Sequence, residues 1–284
     1  VRFTVTGSGG RRRAAVSARR PVALTIAGTD SGGGAGVVAD LKTFEALGVW
    51  GTAAITAVTA QNTLGVQAFE AVTPELVRAQ IASVAADLGV DAAKTGMLAS
   101  AEVVEAVATT VAQLGVGPLV VDPVLVSKHG DRLLAPDAVD AVRTLLLPLA
   151  TVLTPNLPEA EALVGFPVRT RADMEAAARA LVELGAEVVL VKGGHLADGE
   201  RSPDCLLVAD ADGPMWLDGA RLPGRHTHGT GCVLSAAITA GLAKGMEPAD
   251  ACVAAKRFVE RAIGAGVALG SGVGPVDPGW DRPR

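Results

Sequence analysis

A mostly parallel β-sheet sandwiched between two layers of helices, an α/β class in three layers, is the fold this sequence predicts. Three observations point to it. Short apolar runs, many of them β-branched, alternate with helical patterns from Pro21 onward. Polar residues fall just after those runs, where open α/β sheets place their ligands. The chain is 49% hydrophobic but only 3% aromatic, so its core must be built from Val, Leu, Ile and Ala, the residues of strands covered on both faces.

The elements follow in order. Val22 to Ala27 reads as a buried strand, and Val38, Leu41, Phe44 and Leu47 give helical spacing over Val37 to Leu47. Ile55 to Thr59 is β-branched and strand-like. Thr73 and Pro74 open a helix as N-cap and first residue, and Ser100 caps another that ends near Leu114-Gly115. Short strands are expected at Asp91 to Thr95, Leu119 to Val121, Thr151 to Thr154 and Glu187 to Val191. Helices are expected from Pro136, over residues 171–184, and over Gly229 to Ala243 and Pro248 to Ala262. Leu206 to Val208 and Met215 to Leu217 read as a hairpin. No linker or internal repeat divides the chain, so one domain is expected over 21–275. Residues 276–284 are read as a C-terminal tail.

Charge narrows the function. The net charge is −5, yet the first 29 residues hold six Arg and no acid, so the rest of the chain is more acidic than the total. That balance argues against nucleic acid as a partner. Residues 1–20, with Gly7 to Gly10 followed by Arg11 to Arg13, read as a disordered basic extension. Residues 46–69 carry no charge, but their Gly, Thr, Gln and Asn content fits buried strands and a loop, not a lipid-facing helix. Three scattered cysteines make neither a disulfide framework nor a zinc site and suit a reducing, cytoplasmic setting.

Nucleotide signatures are instructive by their absence. There is no Walker A pattern and no G-x-G-x-x-G. An anion would instead be held at His228-Gly229-Thr230-Gly231-Cys232, where glycines open an apolar helix and its backbone N–H groups face outward. The plainer alternative is a Gly-rich turn that admits close helix packing. Cys232 sits in the first turn, where the helix end should depress a thiol pKa. A second donor-rich loop runs from Gly28 to Gly36 between a strand and a helix, with Asp40 one turn further on.

Taken together, several segments resemble the hydroxymethylpyrimidine/phosphomethylpyrimidine kinases of thiamine synthesis, in the family's order and over residues 21–275. They are Val22 to Asp30, Ala39 to Phe44, Thr59 to Thr63, Lys94 to Leu98, Thr154 to Glu159, Val191 to His195 and Thr227 to Cys232. The resemblance implies a ribokinase-like fold, ATP with Mg²⁺, a small pyrimidine substrate and a homodimer. By that resemblance Gln61 reads the pyrimidine, since a carboxamide can accept from the ring amino group and donate to a ring nitrogen. Gly28, Asp40, Met97 and Val124 match other substrate positions. Asn156 and Thr227 match nucleotide positions, and Lys192 reaches the phosphates. Glu159 orders the metal, with Asp122 a second candidate. Asn156 and Glu159 would equally serve as a helix-capping pair. Cys232 stands where sugar kinases of the superfamily carry an Asp base, with Gly229, Thr230 and Gly231 as the phosphoryl cradle. Two features depart from the pattern. The family's Asp-Pro-Ser-Gly-Gly is Asp30-Ser31-Gly32-Gly33 here, and the basic extension is additional. The rival readings are a pyridoxal kinase of the same fold and a non-catalytic pyrimidine sensor.

Overall fold

The computed structural model describes residues 19–125, 136–194, 196, 201–222 and 224–282. Most of the basic extension expected at the start of the chain therefore lies outside the described residues. Its last two residues are anchored: Arg19 pairs with Asp91 and Arg20 with Glu45, each at 2.6 Å.

The chain runs β1 (Val22–Ala27), α1 (Gly36–Ala46), β2 (Trp50–Ile55), β3 (Ala57–Asn62), β4 (Gly65–Ala71), α2 (Pro74–Asp87), β5 (Ala92–Thr95), α3 (Ala101–Leu114) and β6 (Leu119–Val121). It continues with α4 (Pro136–Ala141), β7 (Val152–Leu153), α5 (Leu157–Val164), α6 (Arg171–Glu183), β8 (Val188–Val191), β9 (Asp204–Val208), β10 (Met215–Leu217), α7 (Thr230–Ala243) and α8 (Pro248–Gly264). Eight strands form one sheet in the order β10-β9-β8-β7-β6-β5-β1-β2. The six from β8 to β2 are parallel, and β9 and β10 add antiparallel at one edge.

Strand alternation sorts the core into two sides. Leu24, Ile26, Leu119 and Val121 face α2 to α6 on one side of the sheet. Val120, Val152 and Leu190 face α7 and α8 on the other, with Ala39 of α1 beside them. Every residue of β1, β5, β6 and β8 is buried, as a sheet covered on both faces requires. The local signals hold at the helix ends. Thr73 and Ser100 each accept a backbone N–H of the first turn, and Gly115 closes α3 with φ +62°.

Two expectations change. The strand predicted over Ile55 to Thr59 is two strands that belong to different sheets. The chain turns at Thr56, whose N–H bonds the Ala27 carbonyl and whose hydroxyl bonds that of Met97. β2 ends inside the main sheet, and β3 pairs with β4 as a separate antiparallel hairpin carrying Gln61 and Asn62. A β-branched run carries no signal that says which sheet it joins. At the other end, residues 276–280 of the expected tail are packed on the core. Val276 is buried and Trp280 packs on the α7–α8 core beneath Arg261, so the packed chain runs past residue 275.

Candidate functional site

The carboxyl ends of the parallel strands open into one cavity of about 1200 Å³. Two glycine loops form its floor. The Asp30 carboxylate accepts N–H bonds from Gly32, Gly34 and Ala35 at 2.8–3.1 Å, and His228 Nε2 lies 2.8 Å away. A Cβ at Gly229, where φ is +80°, would overlap the Gly34 carbonyl oxygen. The loops thus interlock, and the start of α7 is set by the loop after β1. No side chain caps α7; Thr230 N–H bonds the Thr227 carbonyl, and the helix start with its positive dipole end faces the cavity.

Beside that helix end stands a charged cluster. Lys192, at the end of β8, lies 3.1 Å from Asp122 and 3.8 Å from Glu159. Asp122 also accepts from Thr154 and Ser235. Burial opposes all three charges. The Lys192 ammonium is nevertheless held above its ordinary range by Asp122 and Glu159. Asp122 is held low by Lys192 and Lys94. Glu159 is pushed up to about 7, because burial outweighs the attraction of Lys192. Asn156 and Glu159 form a reciprocal capping box on α5, with bonds of 2.8 and 2.9 Å. The pair therefore does serve as a cap, and both residues line the cavity as well.

The remaining expected residues separate into those at the cavity and one beneath it. Gln61, Gly28, Met97, Val124 and Thr227 all line it, as do Gly229, Thr230, Gly231 and Cys232. A Cβ at Gly28 would meet the Met97 methyl at 2.6 Å, so the glycine makes room for that side chain. Asp40 does not line the cavity. It is wholly buried, 2.9 Å from Lys94 and bonded to Thr25, so its expected place against the substrate is corrected to a place beneath the floor. One turn into α1 was compatible with either side, and only packing decides it.

Cys232 brings the other correction. Its thiol is pushed up to about 12 by burial, and Lys94 only partly offsets this against Asp40 and Asp122. The sulfur accepts a bond from Gly36 N–H at 3.4 Å. The first-turn position alone argued for a lowered value; burial reverses it.

A family model described as phosphomethylpyrimidine kinase matches residues 30–277.

The chain belongs to that family.

It is 54% identical over 260 residues to a hydroxymethylpyrimidine/phosphomethylpyrimidine kinase of Streptomyces coelicolor, covering 92% of this chain and 95% of that one. The enzyme of the same name from Bacillus subtilis is 46% identical, with 90% and 93% covered. Among solved structures, the phosphomethylpyrimidine kinase of Clostridium difficile is 40% identical, with TM-score 0.75 over 86% of this chain and 100% of that one. The ADP complex of Bacillus subtilis pyridoxal kinase is also 40% identical, with TM-score 0.84 over 91% and 97%.

Sequence reasoning passed over three features of this site. Lys94 lines the cavity although its strand position reads as core. Lys256 and Asp204 pair at 2.8 Å at the end of the cavity near α8. The third is the Asp30–His228 clasp, whose residues stood in the quoted motifs without a role. It makes a prediction. Burial alone would raise the Asp30 pKa, but His228 and the loop amides hold it below 3.8. A carboxyl lowered in the folded state stabilises the fold above its unfolded value and loses that contribution as pH falls through the folded one. Asp30→Asn should therefore cost about 1–3 kcal/mol at neutral pH. The gap from wild type should close as pH drops below 3.8. Denaturant unfolding across pH measures it, and a gap independent of pH would contradict the charged clasp.

Proposed function

We propose that this chain is an ATP-dependent kinase that phosphorylates 4-amino-5-hydroxymethyl-2-methylpyrimidine and then its monophosphate, supplying the diphosphate to thiamine synthesis. One observation carries the proposal. An uncapped helix start with Lys192 beside it and a ring-reading end at Gln61 and Met97 share one cavity, in a member of this family. The first end suits a transferring phosphoryl group, the second a small aromatic ring. ³¹P NMR of protein with ATP and the pyrimidine alcohol should show the monophosphate and then the diphosphate. Accumulation of monophosphate alone would reject the second step.

The chemistry asked of the protein is positioning and charge stabilisation. The α7 amides and Lys192 hold the phosphates. Mg²⁺ usually keeps several waters and binds through one or two carboxylates and the nucleotide. Among the described residues no cluster of three metal-binding side chains exists, but two carboxylates, Asp122 and Glu159, flank the phosphate end. That donor set fits a Mg²⁺ carried on ATP. The ion would supply charge neutralisation there.

A thiol held near 12 is neutral at pH 7, so Cys232 is assigned to positioning and not to proton abstraction. Cys232→Ala should then slow both half-reactions equally, by less than about tenfold, in single-turnover assays. A selective loss of about 10²-fold or more on the alcohol would restore a base role.

Gln61→Ala should weaken pyrimidine binding by about 1–3 kcal/mol and leave ATP binding unchanged. Calorimetry with each ligand checks it, and equal weakening of both would reject Gln61 as the ring reader.

A pyridoxal kinase is the second reading, favoured by the close fold match to the Bacillus subtilis enzyme. Among the described residues no helix is long and apolar enough to cross a membrane, and the three cysteines are free, which suits the cytoplasm proposed for it. The β3–β4 hairpin exposes Val58, Leu64 and Phe69, and we assign it as the contact of a homodimer. Sedimentation should give a dimer, converted to monomer by Val58→Lys with Phe69→Lys.

A further inference from the structure

Lys94 is the feature that the function above leaves without a task. A lysine is almost never fully buried without a partner, and this one is wholly buried on β5. Its Nζ donates to Asp40 Oδ1 at 2.9 Å. The other Asp40 oxygen is taken by Thr25 Oγ1 at 2.6 Å, so the carboxylate cannot turn away. One bond leaves two of the three ammonium donors without an acceptor among the described residues. Lys94 is nevertheless among the residues that line the cavity, as are Cys232 and Gly96. Gly96 lies beside it: a Cβ there would stand 3.8 Å from Nζ, an ordinary contact, and 3.0 Å from the Ala27 methyl. Asp40, Cys232 and Asp122 face the ammonium from α1, α7 and the end of β6. Burial alone would lower its pKa, and those groups outweigh burial and keep it charged. An ion pair needed only for stability could be replaced by apolar side chains. A buried charge with two unpaired donors, on a residue that lines a reaction cavity, fits a ligand contact better.

We propose that Lys94, anchored on Asp40, is a catalytic residue that donates a hydrogen bond to the acceptor oxygen of the substrate. That oxygen is the hydroxymethyl oxygen in the first transfer and a phosphate oxygen in the second. The proposal rests on the kinase reading. In the first step the alcohol oxygen forms the new bond to the γ-phosphorus. The bond from phosphorus to the β–γ bridging oxygen breaks, and its electron pair leaves with ADP. The hydroxyl proton passes to a non-bridging oxygen of the transferred group and then to solvent. Lys94 keeps its proton, and its hydrogen bond holds the alcohol oxygen in line with the γ-phosphorus. In the second step the acceptor is already ionised, and the ammonium holds it in line.

The test uses Lys94→Met and the paired variant Lys94→Met/Asp40→Leu, which removes both charges and keeps the volume. The paired variant avoids a lone buried carboxylate and decides the matter if the single one does not fold. Its kcat should fall by about 10²–10³-fold on both acceptors while its KM for ATP holds within about threefold. A kcat within threefold of wild type would overturn the proposal. A pyrimidine bearing a 5-methyl in place of the hydroxymethyl gives a second readout. Wild type should bind it more weakly than the alcohol, whereas the paired variant should bind both alike; a difference that persists in the variant places the contact elsewhere. In wild type, the ¹⁵Nζ resonance of Lys94 should shift on binding the alcohol and not the 5-methyl compound. No shift overturns the proposal whatever the variants do. Wild-type turnover in the same assay separates the two readings. An active wild type with an unaffected variant removes only the role of Lys94, while an inactive wild type removes the kinase reading itself.

Discussion

Lys192→Ala is expected to lower kcat by about 10²–10³-fold, the loss of a charged donor aimed at the transferring group. The same substitution removes the cation shared by Asp122 at 3.1 Å and Glu159 at 3.8 Å. Two buried carboxylates would then face each other without their counter-charge. Removing one partner of a buried pair costs about 3–5 kcal/mol, so a fall in melting temperature should accompany the loss of turnover. Lys192→Arg separates the two effects. It retains the charge and most of the stability, but its planar fork cannot reproduce a point ammonium in this space. We expect it to melt near wild type and still lose most activity. Full activity in Lys192→Arg would show that only a positive charge is needed there. Full activity in Lys192→Ala would move phosphate binding elsewhere in the cavity.

Gly229→Ala is expected to damage stability and turnover together. At φ +80° a side chain costs about 1–2 kcal/mol in backbone conformation alone. The added methyl would also overlap the Gly34 carbonyl oxygen, which the interlocked loops hold in place. The loops must part, and the first turn of α7 moves with them. A displacement of about 1 Å at a reaction centre can cost about 10²-fold in rate. Turnover measured well below the new melting temperature should show that loss in the protein that remains folded. A variant with unchanged melting temperature and rate would mean that the loop contact does not set the cradle.

How much of this was legible in the sequence depends on the range of the interaction involved. Thr73, Ser100 and Gly115 act within one helical turn, and they mark helix ends as their residue types predict. The parallel strands were legible because burial on both faces leaves unbroken apolar runs such as Val188 to Val191. Asn156 and Glu159 could be read both as a cap and as site residues; they form the cap, and both line the cavity. What could not be read depends on partners far along the chain. The break at Thr56 is made by the Ala27 and Met97 carbonyls. Asp40 turns inward because Lys94, 54 positions later, meets it. The Cys232 thiol looked activated from its helix position, and only the packing around it shows how strongly burial opposes its charge.

If the proposed function holds, the cavity accepts the aminopyrimidine alcohol and its monophosphate in turn. Initial rates with saturating Mg-ATP and, side by side, the pyrimidine alcohol, the pyrimidine monophosphate and pyridoxal test it most directly. Both pyrimidines should turn over, and kcat/KM for pyridoxal should be at least about tenfold lower, a gap of about 1.4 kcal/mol in transition-state binding. A preference for pyridoxal, or no transfer to the monophosphate, would contradict the proposed function.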